Sequence, residues 1–184
     1  MKRLMDILLS LAALMVFSPV MLAAAVATLL DSGAPVFYQQ IRVGRGGREF
    51  GMYKFRSMVK NAAAIGPYHT ASDDPRITRV GRLLRTTSID ELPQLINVLK
   101  GEMSLVGPRP DVPAQRGLYR DADFEQRVSV RPGITGLAQV LYRSDAIGTQ
   151  RLDADLKYTR EVSLWLDLKI MWLTLGRLSG KGSN

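Results

Sequence analysis

A chain of 184 residues with 46% hydrophobic content is long enough for one domain of ordinary size plus an anchor, and too apolar to be a disordered polar chain. Its 25 Lys and Arg against 17 Asp and Glu give a net charge of +8, which draws it to polyanions: nucleic acid, an anionic leaflet or phosphorylated substrates. The absence of cysteine excludes disulfides, thiolate zinc sites and a cysteine nucleophile, and the single histidine, His69, excludes a histidine metal site.

From Ile7 to Leu30 no residue is charged, and three readings compete for this run. A cleaved secretory signal would use Lys2 and Arg3, the apolar core and a small-residue site such as Ala25-Val26-Ala27, but Asp6 interrupts its basic end and the run continues past that site. A spanning helix has the length, since about 20 apolar residues cross the hydrocarbon core. The third reading is a helix broken at Ser18-Pro19, where proline removes a backbone donor and the Ser18 hydroxyl can satisfy the freed group. Lys2 and Arg3 precede the run, and Arg42, Arg45, Arg48, Lys54 and Arg56 follow it, so the positive-inside rule holds both flanks on the cytoplasmic face and favours re-entry. Residues 1–34 are therefore expected to form a re-entrant membrane anchor, and residues 35–184 one compact cytoplasmic domain.

The domain reads as mixed α/β and mainly helical. Val36 to Val43 and Glu49 to Met58 flank Gly44-Arg45-Gly46-Gly47-Arg48, a short β-hairpin whose glycines are turn residues, since no Lys-Ser/Thr follows them as in a phosphate loop. Lys54 and Arg56 should project together from its second arm, into solvent or at an anion. Residues 61 to 78, with His69, read as an irregular loop. Arg76, Arg79, Arg82 and Arg85 then recur every third residue and line one side of a helix or extended arm, as a solvated face or as a contact with headgroups or phosphate.

Ser88-Ile89-Asp90-Glu91-Leu92-Pro93-Gln94 sets adjacent carboxylates before an apolar run, Leu92, Leu95, Ile96 and Leu99, that Gly101 closes. Ser88-x-x-Glu91 fits a capping box, whereas Asp90 as the cap would move Pro93 to a position where its missing donor is harmless. In either case the helix dipole should keep the carboxylates ionised, as a nucleophile or a Mg²⁺ ligand must be. Near the C-terminus Trp165, Leu168, Trp172 and Leu175 form one helical stripe, the pattern of a core face, although tryptophan beside Lys169 and Arg177 also suits an interfacial amphipathic helix.

Taken in order, Lys54-Phe55-Arg56-Ser57-Met58, Ser88 through Gly101, Met103-Ser104-Leu105-Val106-Gly107-Pro108-Arg109-Pro110, Arg131-Pro132-Gly133-Ile134-Thr135-Gly136 and Leu166-Asp167-Leu168-Lys169 resemble the bacterial sugar transferase family, the monotopic polyprenyl-phosphate phosphoglycosyl transferases. The resemblance runs from the anchor to about residue 173 and covers nearly the whole of a minimal catalytic unit. It implies an enzyme that moves a phosphosugar from a UDP-sugar to a polyprenyl phosphate such as undecaprenyl phosphate, releases UMP and begins glycan assembly at the bacterial inner membrane. Asp90 is implied as the nucleophile of a covalent intermediate, Glu91 as its assistant, and Mg²⁺ as bound at the pair. Lys54, Arg56, Arg85, Gln94, Arg109, Arg131, Gln139 and Asp155 are the expected phosphate- or nucleotide-binding residues, and Ser18-Pro19 is the expected re-entrant break.

Leu141-Tyr142-Arg143-Ser144-Asp145 departs from the Asn-Gly-Arg that many members carry there, which bears on the choice of substrate. The partners implied are the UDP-sugar, polyprenyl phosphate and the membrane, with a homodimer left open and no nucleic-acid motif in view. A non-catalytic membrane-surface scaffold would explain the anchor and the basic charge, but gives no reason for acids set among phosphate-binding motifs.

Overall fold

In the computed structural model, which describes residues 1–66, 74–142 and 148–179, the apolar run is a single helix, α1 (Lys2–Ser32). The expected break is not a gap in helical structure, because α1 stays helical through Pro19. Proline at this position leaves the carbonyl of Met15 without its usual donor, and the Ser18 hydroxyl donates to that oxygen at 2.8 Å. After a Gly33 cap at φ +76°, β1 (Phe37–Val43) and β2 (Glu49–Phe55) pair antiparallel from Phe37↔Phe55 to Val43↔Glu49. Their turn places Gly46 and Gly47 at φ +66° and +75°, where a side chain would be strained.

α2 (Ala62–Ile65) is one turn, and α3 (Arg79–Thr86) is capped by Thr78, whose hydroxyl accepts from the Gly81 N–H at 2.9 Å. Arg76 leaves the arginine stripe: it precedes α3, is buried and pairs with Asp74 at 2.6 Å. α4 (Gln94–Lys100) ends at Gly101, φ +85°. β3 (Ser104–Val106) and β4 (Gly133–Thr135) form a parallel pair absent from the sequence expectation, with α5 (Asp121–Arg127) between them. α6 (Leu137–Tyr142), α7 (Gly148–Glu161) and α8 (Leu164–Ser179) follow and complete the described residues. His69 and the Arg143–Asp145 part of the substituted loop lie outside the described residues.

Three apolar clusters hold these elements. Phe50 and Met52 of β2 pack with Val98 and Met103, Val106 with Val140, Tyr158 and Ile170, and Ala24 of α1 with Phe55 and Leu84. The last cluster fixes one end of α1, and Arg56 Nη2 donates to the Ser32 carbonyl at 2.8 Å to close the helix terminus. The other end is tied by polar contacts. Arg3 donates to the Val98 and Leu99 carbonyls at the end of α4, and Asp6, 1% exposed, accepts from the Ser104 hydroxyl at 2.9 Å and the Leu105 N–H at 3.2 Å. Lys2 Nζ lies 2.6 Å from Asp167, which is fully buried with the Tyr158 hydroxyl 2.8 Å from its other oxygen. Between the two ends α1 is bare, with Met15, Val16 and Leu22 all more than half exposed.

The tryptophan stripe of α8 is not a core face. Trp165 and Trp172 are 78% and 76% exposed, while Asp167 and Ile170, on the opposite side, are fully buried. The apolar stripe is present as read, but the domain buries the helix through its other face.

Removing Lys2 would strand the Asp167 charge. Lys2→Met should cost about 2–3 kcal/mol, below the roughly 3–5 kcal/mol of a fully enclosed pair because the Lys2 side chain is 29% exposed. The expected readout is a melting temperature lowered by roughly 5–10 °C in detergent. Lys2→Met with Asp167→Asn should lose less than the two single changes added together.

Candidate active site

The acid pair is set by backbone geometry. Ser88 adopts φ +58°, a left-handed turn, and Ile89–Glu91 form one 3-10 turn before Leu92 and Pro93 lead into α4. Pro93 stands just ahead of the helix, where its missing N–H removes no hydrogen bond. Neither Ser88 nor Asp90 makes a side-chain cap, and the Glu91 carboxylate points elsewhere, so the capping-box reading is not realised.

Glu91 Oε1 accepts from Lys54 Nζ at 2.7 Å and from Arg109 Nη2 at 2.8 Å. Lys54 is aimed there because Asn97, fully buried, accepts from the Tyr53 N–H at 2.9 Å and donates to the Gly51 carbonyl at 2.8 Å, locking β2 on α4. Arg109 arrives through backbone contact. A Cβ on Gly133 would stand 2.1 Å from Gly107 N, and one on Gly136 would stand 2.2 Å from Gly107 O, so only glycine lets these segments meet. Asp90 is 7% exposed and accepts no hydrogen bond among the described residues.

These neighbours are charged in opposite ways. Burial pushes the Asp90 carboxyl up to about 6, more than Lys54, Arg85 and Arg109 can offset, so the ionisation expected from the helix dipole gives way to desolvation. Burial raises Glu91 too, but Arg109 and Lys54 outweigh it and hold that carboxyl well below the usual carboxylate range.

Behind Arg109 lies a charged network that the sequence reading missed. Arg127, 4% exposed, donates to the Arg109 carbonyl at 2.6 Å, to Asp155 at 2.9 Å and to Asp111. Arg151 reaches the other Asp111 oxygen at 3.2 Å, and the Tyr119 hydroxyl donates to Asp111 at 2.7 Å. Arg42 of β1 donates to the Pro110 carbonyl at 2.9 Å. Asp155, one of the expected site residues, thus braces the Arg109 segment through Arg127. No local spacing could reveal these partners, because they come from β1, α5 and α7.

The other expected site residues divide. Arg85 is half-buried at the end of α3 and its charge reaches Asp90. Gln94, 2% exposed, is one turn beyond Asp90, and its Nε2 has no partner among the described residues. Arg56 is used to close α1 rather than to join Lys54. Arg131 lies at the far end of α4, donating to the Gly101 carbonyl at 2.8 Å, so it does not stand with Arg109. Gln139 donates to the Ile134 carbonyl at 3.0 Å, beneath Gly136.

The pair suits a sparse Mg²⁺ site. Asp90 and the second oxygen of Glu91 accept no hydrogen bond among the described residues, and these residues include no cluster of three or more carboxylate or imidazole groups. Mg²⁺ commonly takes one or two carboxylates and completes its shell with water and substrate phosphate, so the donor set fits.

The family profile described as bacterial sugar transferase matches residues 1–181. This chain belongs to the bacterial sugar transferase family. Among its relatives in this family are the UDP-N-acetylgalactosamine-undecaprenyl-phosphate N-acetylgalactosaminephosphotransferase of Aeromonas hydrophila, 47% identical over 95% of this chain and 42% of the relative. The UDP-glucose:undecaprenyl-phosphate glucose-1-phosphate transferase of Caulobacter vibrioides is 42% identical over 96% and 69%. The exopolysaccharide production protein PSS of Rhizobium leguminosarum is 41% identical over 95% and 93%. The chain spans about two fifths of the length of the Aeromonas relative.

The opposite charging of the two acids predicts opposite pH dependence. Asp90 prefers its proton in the fold, so its contribution to stability declines as pH rises from about 4 through about 6. Asp90→Asn should therefore be more stable than the parent at pH 8, on the order of 2 kcal/mol, and nearly equal to it at pH 4. Glu91→Gln should be less stable than the parent at pH 8, with the gap closing only as acid protonates Glu91. Denaturant midpoints in detergent with EDTA measure the first from about pH 4 to 8, and their extension below about pH 4 measures the second.

Proposed function

We propose that this chain transfers a phosphosugar from a UDP-sugar to polyprenyl phosphate, giving polyprenyl-diphosphate-sugar and UMP through a covalent intermediate on Asp90. The observation that supports it most is a buried carboxylate without a partner among the described residues beside one that is already held by Lys54 and Arg109. The first acid is available for attack, and the second organises cations where charge develops. An Asp90 oxygen attacks the sugar-bearing phosphorus, the bond from that phosphorus to the bridging oxygen breaks, and UMP leaves with the electron pair. An oxygen of polyprenyl phosphate then attacks the same phosphorus, and the Asp90 carboxylate departs. Lys54 and Arg109, oriented by Glu91, draw the phosphoryl oxygens beside Asp90, the guanidinium offering a bidentate grip and the ammonium a mobile point charge. Mg²⁺, bound at Asp90 and Glu91, would supply neutralisation of the diphosphate charge. Relatives are named for N-acetylgalactosamine, glucose and galactose phosphotransfer, so the donor is assigned as the UDP-sugar class.

The same proposal includes a re-entrant α1 in the cytoplasmic membrane, with the site on the cytoplasmic side. Thirty-one residues would reach about 46 Å if straight, enough to cross, and the helix is apolar enough to do so. Both of its ends are nevertheless bound to one domain, through Lys2, Arg3 and Asp6 at one and Ala24 and Ser32 at the other. A spanning helix would part them. The bare middle of α1 and the exposed Trp165, Leu168, Trp172 and Leu175 of α8 are the surfaces assigned to lipid.

Radiolabelled UDP-sugar with Mg²⁺ and no lipid should leave label on the protein and release UMP. Asp90→Asn and EDTA should each suppress both. Transfer to added lipid by protein that never carries label would instead support a single displacement in a ternary complex.

For topology, cysteines introduced into this cysteine-free chain at Leu4 and Ala34 should resist an impermeant maleimide in spheroplasts and react after permeabilisation. Labelling of either one from the periplasmic side, with activity retained, overturns the hairpin.

A further inference from the structure

The Arg109 segment is gripped by more positive charge than bracing needs. Arg127 and Arg151 share Asp111, and Lys54 and Arg109 share Glu91, so both carboxylates nearest Arg42 are already divided between two cations. Arg42 has no carboxylate partner among the described residues. Its fork donates to the Pro110 carbonyl at 2.9 Å and to Gln40 Oε1 at 2.7 Å, both neutral, and its Nε is buried without an acceptor. Burial first, and then the neighbouring Arg109 charge, lower the Arg42 guanidinium to about 10, against the opposing pull of Asp111 and Glu91 and with a smaller push from Arg151. Collecting guanidinium groups from β1, the Pro-Arg-Pro segment and the start of α7 is unfavourable in an empty protein, and a bound anion would offset it.

We infer that Arg42 and Arg151, with Arg109, form a subsite for a phosphomonoester: the phosphate that leaves with the nucleotide, and in the second half-reaction the phosphate of the lipid acceptor. This rests on the two-displacement function proposed above. In-line displacement explains why one subsite serves both. The nucleotide departs opposite Asp90, and the acceptor must attack the Asp90-bound phosphorus from that same side, so the leaving and arriving phosphates occupy one position in turn. Lys54, oriented by Glu91, then attends the transferred phosphoryl group, Arg109 stands between the two groups, and Arg42 and Arg151 attend the group exchanged across from it. Arg151, 34% exposed where Arg127 is enclosed, is placed to reach a ligand while Arg127 only braces.

The test uses the full chain in detergent, with UMP, uridine and a short-chain polyprenyl phosphate as probes. Arg42→Gln keeps an amide donor for Pro110, and Arg151→Gln changes a partly exposed side chain, so the second remains decisive if the first fails to fold. Each folded variant should raise the UMP inhibition constant and the KM for UDP-sugar about tenfold or more, as loss of a charged hydrogen bond to phosphate does. Each should also shrink the UMP-induced melting shift and leave any uridine-induced shift unchanged. The KM for the lipid phosphate should rise in parallel. Arg42→Lys should lie between the parent and the glutamine variant, since it retains charge without the fork. Unchanged UMP inhibition in folded Arg151→Gln overturns the subsite, and an unchanged lipid KM overturns its second use. Absence of UMP release by the parent chain with every UDP-sugar overturns the function itself, whereas release that the variants leave equally sensitive to UMP overturns the subsite alone.

Discussion

The delivery of Arg109 to the acid pair depends on the contact of Gly107 with Gly133 and Gly136, where backbone meets backbone at distances that admit no Cβ. The approach is continued by hydrogen bonds from Gly107 N to the Thr135 carbonyl and from Gly133 N to the Pro108 carbonyl, both 2.9 Å. It registers β3 against β4, and the segment leaving that pair carries Arg109 to Glu91. Prolines on both sides of Arg109 restrict the path of the chain, and Arg127 and Arg42 hold the carbonyls at Arg109 and Pro110. A short parallel pair of strands thus acts as the ruler for an electrostatic site.

Adjacent residues in that site are charged differently because their surroundings differ. Glu91 is half-buried against two cations, whose attraction exceeds the cost of desolvation. Asp90 turns into a space where burial dominates, and no donor among the described residues meets it. This separation is the usual way for one site to hold both an organiser of charge and a reactive group. The buried Arg127 network gives the arrangement stiffness, since an arginine flanked by Asp111 and Asp155 cannot shift without exposing uncompensated charge.

The long apolar helix α1 is bound into this fold at both of its ends. Its first turn closes the end of α4 through Arg3, its buried Asp6 meets β3, and its last turns share an apolar cluster with β2 and α3. Lys2 and Arg3, which a positive-inside count treats as charges facing water or headgroups, are committed inside the protein. The start of α1 and the acid pair are therefore coupled through the two ends of α4, a helix of seven residues.

What the sequence determined by itself was local: the apolar run with its proline, the hairpin with its glycine turn, the stop at Gly101 and the order of the family motifs, since periodicity and backbone sterics act over a few residues. It also carried the acid pair, Lys54 and Arg109. It did not carry Arg42, Asp111, Arg127 or Arg151, because contacts between β1, α5, α7 and the Pro-Arg-Pro segment leave no mark on spacing. Arg56 and Arg131, read as phosphate ligands, went to carbonyls at helix ends, where a guanidinium serves equally well. The tryptophan stripe of α8 was legible as a face, but a pattern does not say what covers it, and only packing turned Asp167 and Ile170 inward and left Trp165 and Trp172 outside. The raised Asp90 carboxyl was likewise hidden, because desolvation is set by every neighbour at once and no residue carries it alone.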